Sequence, residues 1–271
     1  MNDLQKCELE ILKEFDRICK KNNLTYSLNS GTMLGAIRHK GFIPWDDDID
    51  VMMPAKDYKK LCKIAPKQLD SKFFLQTSYT DNWYASIAKI RMNGTTAIEE
   101  GFEKYRFHQG VWIDIFPITG VGNNDSYLKL VNKLLLARNV LLKDAVYKEQ
   151  YKEYPQILKK IKLIMLVPLC IRRILCRILD CIILRDHKNK EYFCYLLVGG
   201  KIFRRFKTEY IKDYIPMQFE DGYFPVAVEY DEMLEKTYGD YMTLPPVEKR
   251  NGGDHILSIV DLNNDYRKYL K

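Results

Sequence analysis

Between Leu28 and Met53 the chain reads LNSGTMLGAIRHKGFIPWDDDIDVMM, and few folds can accommodate what that run demands. A short β-prone piece turns through Ser30-Gly31-Thr32 and passes Gly35, Arg38 and His39. It then crosses a Gly41/Pro44 loop and ends in Asp46-Asp47-Asp48-Ile49-Asp50. Side chains on a strand alternate faces, so a strand here puts Asp46, Asp48 and Asp50 on one face at about 6.5 Å spacing. Ile49 and Val51 then turn towards a core. Like charges that close repel and raise one another's pKa unless a cation sits between them. Oxygen-only ligands suit a hard ion, Mg²⁺ or Mn²⁺. The competing reading is a solvated acidic turn after Pro44. Against it stand the apolar residues between the acids and a second run, Trp112-Ile113-Asp114-Ile115-Phe116, in which one acid interrupts an apolar strand. A lone buried carboxylate is costly unless it is paired or metal-bound.

The run SGTMLGAIRHKGFIPWDDDID closely resembles the signature of the LicD family of phosphotransferases, which is grouped with the DNA polymerase beta-type nucleotidyltransferases. Gly31-Thr32, Asp48-Ile49-Asp50 and Asp114 fit the family's order: a small-residue turn opening a helix, Asp-hydrophobic-Asp on a strand, and a third acid on a neighbouring strand. Two further stretches match. One is GVWIDIFPITG at 110–120; the other is Phe219-Glu220, then Tyr238-Gly239-Asp240-Tyr241-Met242, Leu244-Pro245-Pro246, Arg250 and His255. The middle of the chain matches only in length and character.

The resemblance implies an α+β fold: a nucleotidyltransferase-like mixed β-sheet core flanked by helices, with an inserted or appended basic helical segment. The expected division is a catalytic core at 1–122, the basic helical segment at 123–207, and a C-terminal part at 208–271 that completes the active-site domain. The implied metal ligands and catalytic acids are Asp48, Asp50 and Asp114, with Asp46 either a ligand or a hydrogen-bond partner of the metal shell. The implied reaction moves a phospho-alcohol group, most familiarly phosphocholine, from a CDP-activated donor such as CDP-choline. The acceptor is a sugar hydroxyl of a cell-surface glycan or its lipid-linked precursor, and CMP leaves.

The substrate side can be read in part from chemistry. The Ser30-Gly31-Thr32 turn offers backbone N–H groups at a helix N-terminus, a cradle for phosphate. Arg38, Lys89 and Arg91 offer positive charge for phosphate oxygens. Lys89 and Arg91 share a strand face opposite Ile90, and a solvated edge strand explains that pair as well. His39 contacts phosphate, assists proton transfer or is structural. Tyr238, Asp240 and His255 join the substrate-binding set on the resemblance; by chemistry alone His255 is an ordinary polar loop residue.

Periodicity predicts a helix over 3–21 through Leu4, Cys7, Ile11, Phe15 and Ile18, capped by Asn2 or Asp3. Strands are expected at 25–29 and 72–77, with helices starting near Thr32 and at Pro54-Ala55. A hairpin over 84–99 should turn at Asn93-Gly94 in type I′ geometry. Helices follow at 126–149 and 153–185, the latter broken or kinked at Pro168. A hairpin near Asp221-Gly222 precedes a last helix over 227–237 that ends at Gly239.

Charge is uneven: residues 151–212 hold 15 Lys/Arg against 5 Asp/Glu, in a chain of net charge +7. That favours an anionic partner, a membrane surface or a phosphate-rich polymer, and no nucleic acid is expected. The longest charge-free run near Pro168, Leu163 to Ile171, is nine residues. A membrane span needs about 20, so this helix is either packed core or lies on a membrane face. A charged N-terminus without an apolar segment and seven cysteines without a CxxC pair point to reduced thiols in a cytoplasm, with peripheral contact at the inner face of the plasma membrane. The spacing of Cys170, Cys176 and Cys181 fits a buried helix face better than a zinc knuckle. Two rival functions remain: transfer of NMP from an NTP, and a non-catalytic membrane-associated adaptor.

Overall fold

The computed structural model describes residues 1–142, 155–186, 190–195, 205–250 and 255–270. Helix α1 (Asp3–Asn22) begins with a reciprocal cap: Gln5 N donates to Asn2 Oδ1 and Asn2 N to Gln5 Oε1, both at 2.9 Å. Its stripe of Ile11, Phe15 and Ile18 is fully buried. Next come β1 (Ser27–Leu28), α2 (Ser30–Arg38), β2 (Asp50–Pro54), α3 (Ala55–Gln68), β3 (Phe73–Gln76), β4 (Ala88–Met92), β5 (Thr96–Glu99) and β6 (Trp112–Val121). The main sheet runs β1-β2-β6-β4-β3, with β2 and β6 parallel and the other neighbours antiparallel. All ten residues of β6 are buried, as a strand covered on both faces by other layers must be.

After β6 come α4 (Asp125–Leu142), α5 (Pro155–Met165) and α6 (Leu169–Ile183). Strands β7 (Tyr192–Tyr195) and β8 (Phe206–Lys207) then return to the sheet, β7 pairing with the end of β6 and β8 with β7. A hairpin of β9 (Tyr214–Phe219) and β10 (Gly222–Ala227) leads to α7 (Tyr230–Tyr238), and β11 (Leu257–Asp261) pairs with β5. A mixed sheet flanked by helices is the α+β arrangement expected. The break between α5 and α6 falls at Pro168, and Gly239 caps α7.

Some expectations fail for physical reasons. The acidic run is not a strand throughout: β2 begins only at Asp50, and 46–49 is irregular backbone. Its neighbour β1 is two residues long and pairs only with Val51 and Met52, so no ladder reaches Asp46. Asp46 is held instead by Gln5 Nε2, which donates to its carbonyl at 3.0 Å, and by its own N–H on Ile43 O at 2.9 Å. The 84–99 hairpin is also absent. β4 pairs with β3 and β6, while β5 pairs with β11. Type I′ needs positive φ at both turn residues, and Gly94 has it at 76° whereas Asn93 does not. Asn93 is tied elsewhere, its N–H donating to Lys72 O and its amide to Ser71 O, both at 2.7 Å. The last helix starts at Tyr230, later than expected, because β10 takes the chain to Ala227. The end of the 126–149 helix, at 143–149, lies outside the described residues.

Buried His108 bridges these elements. Its Nδ1 accepts from Gly110 N at 3.1 Å, Nε2 lies 2.9 Å from Asn93 Oδ1, and the ring stacks on Phe74. Burial, then nearby Arg91, pushes its pKa from 6.5 down to about 4. A histidine held neutral by the fold supports stability fully above its unfolded pKa and loses that support as pH falls through the folded value. Urea melts should therefore weaken between pH 6.5 and 4, and His108→Gln should flatten that slope.

Candidate active site

Register brings the acids together. Asp50 stands opposite Asp114 across the parallel β2/β6 pair, and Lys89 stands opposite Asp114 from β4. Thr32, in the first turn of α2, accepts the Asp50 N–H at 2.8 Å and ties the start of the strand to that helix. Beside it a Cβ on Gly31 would meet Asp46 Oδ2 at 2.7 Å, so a larger residue there would have to displace the Asp46 carboxylate. Ser30 has a left-handed φ of 45°, and Asn29, which precedes α2, makes no side-chain cap; its Oδ1 is buried without a hydrogen-bond partner.

Asp114 is 3 % exposed. Lys89 Nζ donates to its Oδ2 at 3.0 Å and lies 2.9 Å from Oδ1, where the angle is too poor for a hydrogen bond. Trp112 Nε1 also donates to Oδ2, at 3.2 Å, so Oδ1 stays buried without a donor. The Lys89 ammonium sits over the rings of Trp112 and Trp83, 4.4 and 5.3 Å from their centroids, where cation–π attraction offsets its lost hydration.

His255 arrives from the strand-β11 end of the chain. Its Nε2 is 3.3 Å from Asp48 Oδ2 and its Nδ1 2.7 Å from Glu99 Oε1. Burial alone would lower its pKa, but the bonds to Asp48 and Glu99 outweigh that and lift it to about 10. Glu99 moves the other way: burial opposes the shift, yet His255 and Lys89 bring it down to about 2. Asp48, Asp114 and His255 offer ligand atoms within 4.8 Å of one another, as do Asp46, Asp47 and Asp48. Asp50 is pushed well above the ordinary carboxylate range, by burial first and then by Asp48, Asp114 and Asp46.

These residues fit a divalent cation. The donor set is dominated by carboxylate oxygen, and its ligand atoms already lie close enough together to share one ion.

The remaining predicted residues divide. Arg38 donates to Tyr241 O at 2.5 Å and contacts His39, whose ring meets Trp45 edge-on. The Arg250 guanidinium lies over the Trp45 ring, 5.2 Å from its centroid, and both Arg250 and Tyr238 act electrostatically on Arg38. A basic, aromatic rim thus adjoins the acidic loop through Trp45. Asp240 is exposed and accepts a hydrogen bond from Thr243 Oγ1. Arg91 is 1 % exposed, its guanidinium spent on Gln76 Oε1 and Gly110 O and stacked on Trp112. It props the tryptophan and does not reach outward. Lys89 is likewise committed to Asp114, and β4 is an interior strand rather than a solvated edge.

Sequence reading missed Glu8 and Glu99. Glu8 lies on α1, 2 % exposed, with Oε2 unpartnered and its carboxyl pushed well up by burial and then by Asp48, Asp47 and Asp46. An acid inside the Leu4–Ile11 apolar stripe was the available signal. Glu99, at the end of a short strand, carried none.

Removing Lys89 leaves Asp114 buried without its cation. Lys89→Met should cost about 3–5 kcal/mol in denaturant melts. Asp50→Asn removes a strained charge and should leave the melting temperature unchanged or raised.

The family described as LicD/FKTN/FKRP, nucleotidyltransferase domain, matches residues 23–133. The lipopolysaccharide cholinephosphotransferase LicD of Haemophilus influenzae is 30 % identical over 246 residues, 89 % of this chain and 90 % of that one. An uncharacterized protein of Rickettsia prowazekii is 39 % identical over 71 residues, 26 % of this chain and 24 % of that one. An uncharacterized protein of Rickettsia typhi is 40 % identical over 58 residues, 21 % of this chain and 19 % of that one. With nearly its whole length aligned to the Haemophilus influenzae enzyme, the chain belongs to the LicD family and is a phosphotransferase.

Proposed function

We propose that this enzyme transfers phosphocholine from CDP-choline to a sugar hydroxyl of a cell-surface glycan or its lipid-linked precursor, releasing CMP. The observation that carries the reading is that Asp48, Asp114 and His255 bring ligand atoms within 4.8 Å of one another, with Asp50 in register against Asp114, beside the uncapped start of α2. The choline and glycan parts draw support from the similar lipopolysaccharide cholinephosphotransferase.

Phosphoryl transfer asks a protein mainly for positioning and charge neutralisation. Asp48, Asp50 and Asp114, with Asp46 and Asp47 beside them, would hold Mg²⁺ or Mn²⁺, which when bound neutralises phosphate charge and polarises the bridging oxygen. The first-turn N–H groups of α2 have no intrahelical acceptors and suit a phosphate. Arg38, with Arg250 and Trp45 nearby, offers charge and an aromatic face for the nucleotide or the choline cation. The acceptor oxygen attacks the phosphorus bearing choline, the bond to the oxygen of CMP breaks, and the hydroxyl proton passes to the carboxylate cluster. His255 locks Asp48 and Glu99 in place from the C-terminal side.

Purified protein with Mg²⁺ and an acceptor glycan should release CMP from CDP-choline, followed by chromatography of the nucleotide. Asp48→Asn and Asp50→Asn should each lower turnover at least about a hundredfold. Pyrophosphate from NTPs, with no CMP from CDP-choline, would indicate nucleotidyl transfer instead. A chain that binds neither nucleotide nor metal, seen as an unmoved melting temperature, would be an adaptor.

A further inference from the structure

Helix α6 turns several of its polar groups inward: Arg172 is buried and donates to Val167 O and Leu141 O at 3.0 Å, and Cys176 is buried against Arg138 O. Asp180 takes an ion pair from Arg138 at 3.0 Å and a hydrogen bond from Tyr79. Apart from Leu179 and Ile183, which meet the core, its apolar groups face out. Ile171, Ile174, Leu175, Ile178 and Ile182 follow the three-to-four spacing of one helical stripe and are 39–54 % exposed. Leu163 in the last turn of α5 and Leu166 just after it are also exposed, at 69 % and 79 %. A water-facing helix normally shows the reverse pattern, and contiguous exposed apolar surface of this kind marks an interaction site.

The surrounding charge identifies the occupant. Lys159 and Lys162 on α5, Arg177 on α6 and Arg185 just beyond its end are exposed. Residues 155–186 hold seven Lys/Arg against two Asp. A second copy docked by two-fold symmetry would set those cations against themselves. An anionic lipid surface satisfies both the aliphatic stripe and its basic flanks. No described helix is long and apolar enough to cross a membrane, so the helices would lie in the plane of the interface.

We infer that α5 and α6 form a docking surface for an anionic phospholipid bilayer. The inference goes beyond the transfer reaction and holds whichever group is moved. Its test is flotation of the full chain with vesicles of phosphatidylcholine alone or mixed with phosphatidylglycerol. The chain should float with the mixed vesicles, less so as salt rises, and far less with phosphatidylcholine alone. Ile174→Glu with Ile178→Glu should reduce partitioning at least about tenfold, and Ile174→Ser with Ile178→Ser in the same direction, with the thermal melt retained. A wild-type chain that stays unbound, or variants that float equally well, would overturn the inference. So would sedimentation showing a dimer that these substitutions dissolve, because the face would then be a protein interface. Vesicle binding is measured without turnover, so it fails or succeeds separately from CMP release.

Discussion

The whole site depends on repulsion among carboxylates that the backbone does not allow to separate. Parallel pairing sets Asp50 directly against Asp114, and the loop before Asp50 adds Asp46, Asp47 and Asp48. One ammonium, Lys89, and one imidazolium, His255, sit among them. Burial first, and then the charges of Asp48, Asp114 and Asp46, make Asp50 hold its proton far more tightly than usual. A divalent cation is the economical way to relieve such a cluster.

Remote segments make the arrangement possible. Helix α1 supports the acidic loop through Gln5 and places Glu8 behind it. The β9/β10 turn grips the other side: Glu220 accepts from Phe42 N at 3.0 Å, and Phe219 packs on Phe42. A side chain at Gly41 would collide with Glu220, so the close approach of loop and hairpin needs glycine. Residue 255 then closes the cluster from beside β11, which pairs with β5 and so brings Glu99 to hold the imidazolium. Sequence separation is bridged by sheet register rather than by long side chains.

Much of this was legible in the chain. Asp50 before an apolar run and Asp114 within another foretold two neighbouring strands presenting carboxylates, whereas the strand reading of Asp46–Ile49 failed because 46–49 is irregular backbone. Asn2 and Gly239 marked helix ends correctly, and Pro168 marked the break between helices. Long-range pairing was not legible. Asn93-Gly94 carries a local hairpin signal, yet the strands around it found better partners in β3, β6 and β11, since burial outweighs turn preference. Lys89 and Arg91 alternate correctly on their strand. What alternation could not reveal is that β4 is interior, so both cations are consumed by Asp114, Gln76 and Gly110. For α6 the periodicity was plain but its direction was not: an amphipathic pattern does not say which face meets the protein, and here the polar one does.

The central claim is that the carboxylates gather around a divalent ion, and direct metal binding tests it without any substrate. Titrating the purified chain with Mn²⁺ and following the free ion by electron paramagnetic resonance should show saturable binding that Mg²⁺ displaces. Asp50→Asn and Asp114→Asn should abolish it while far-ultraviolet circular dichroism stays unchanged. Equal Mn²⁺ uptake by the wild-type chain and both variants would contradict the account, as would a wild-type chain that takes up none.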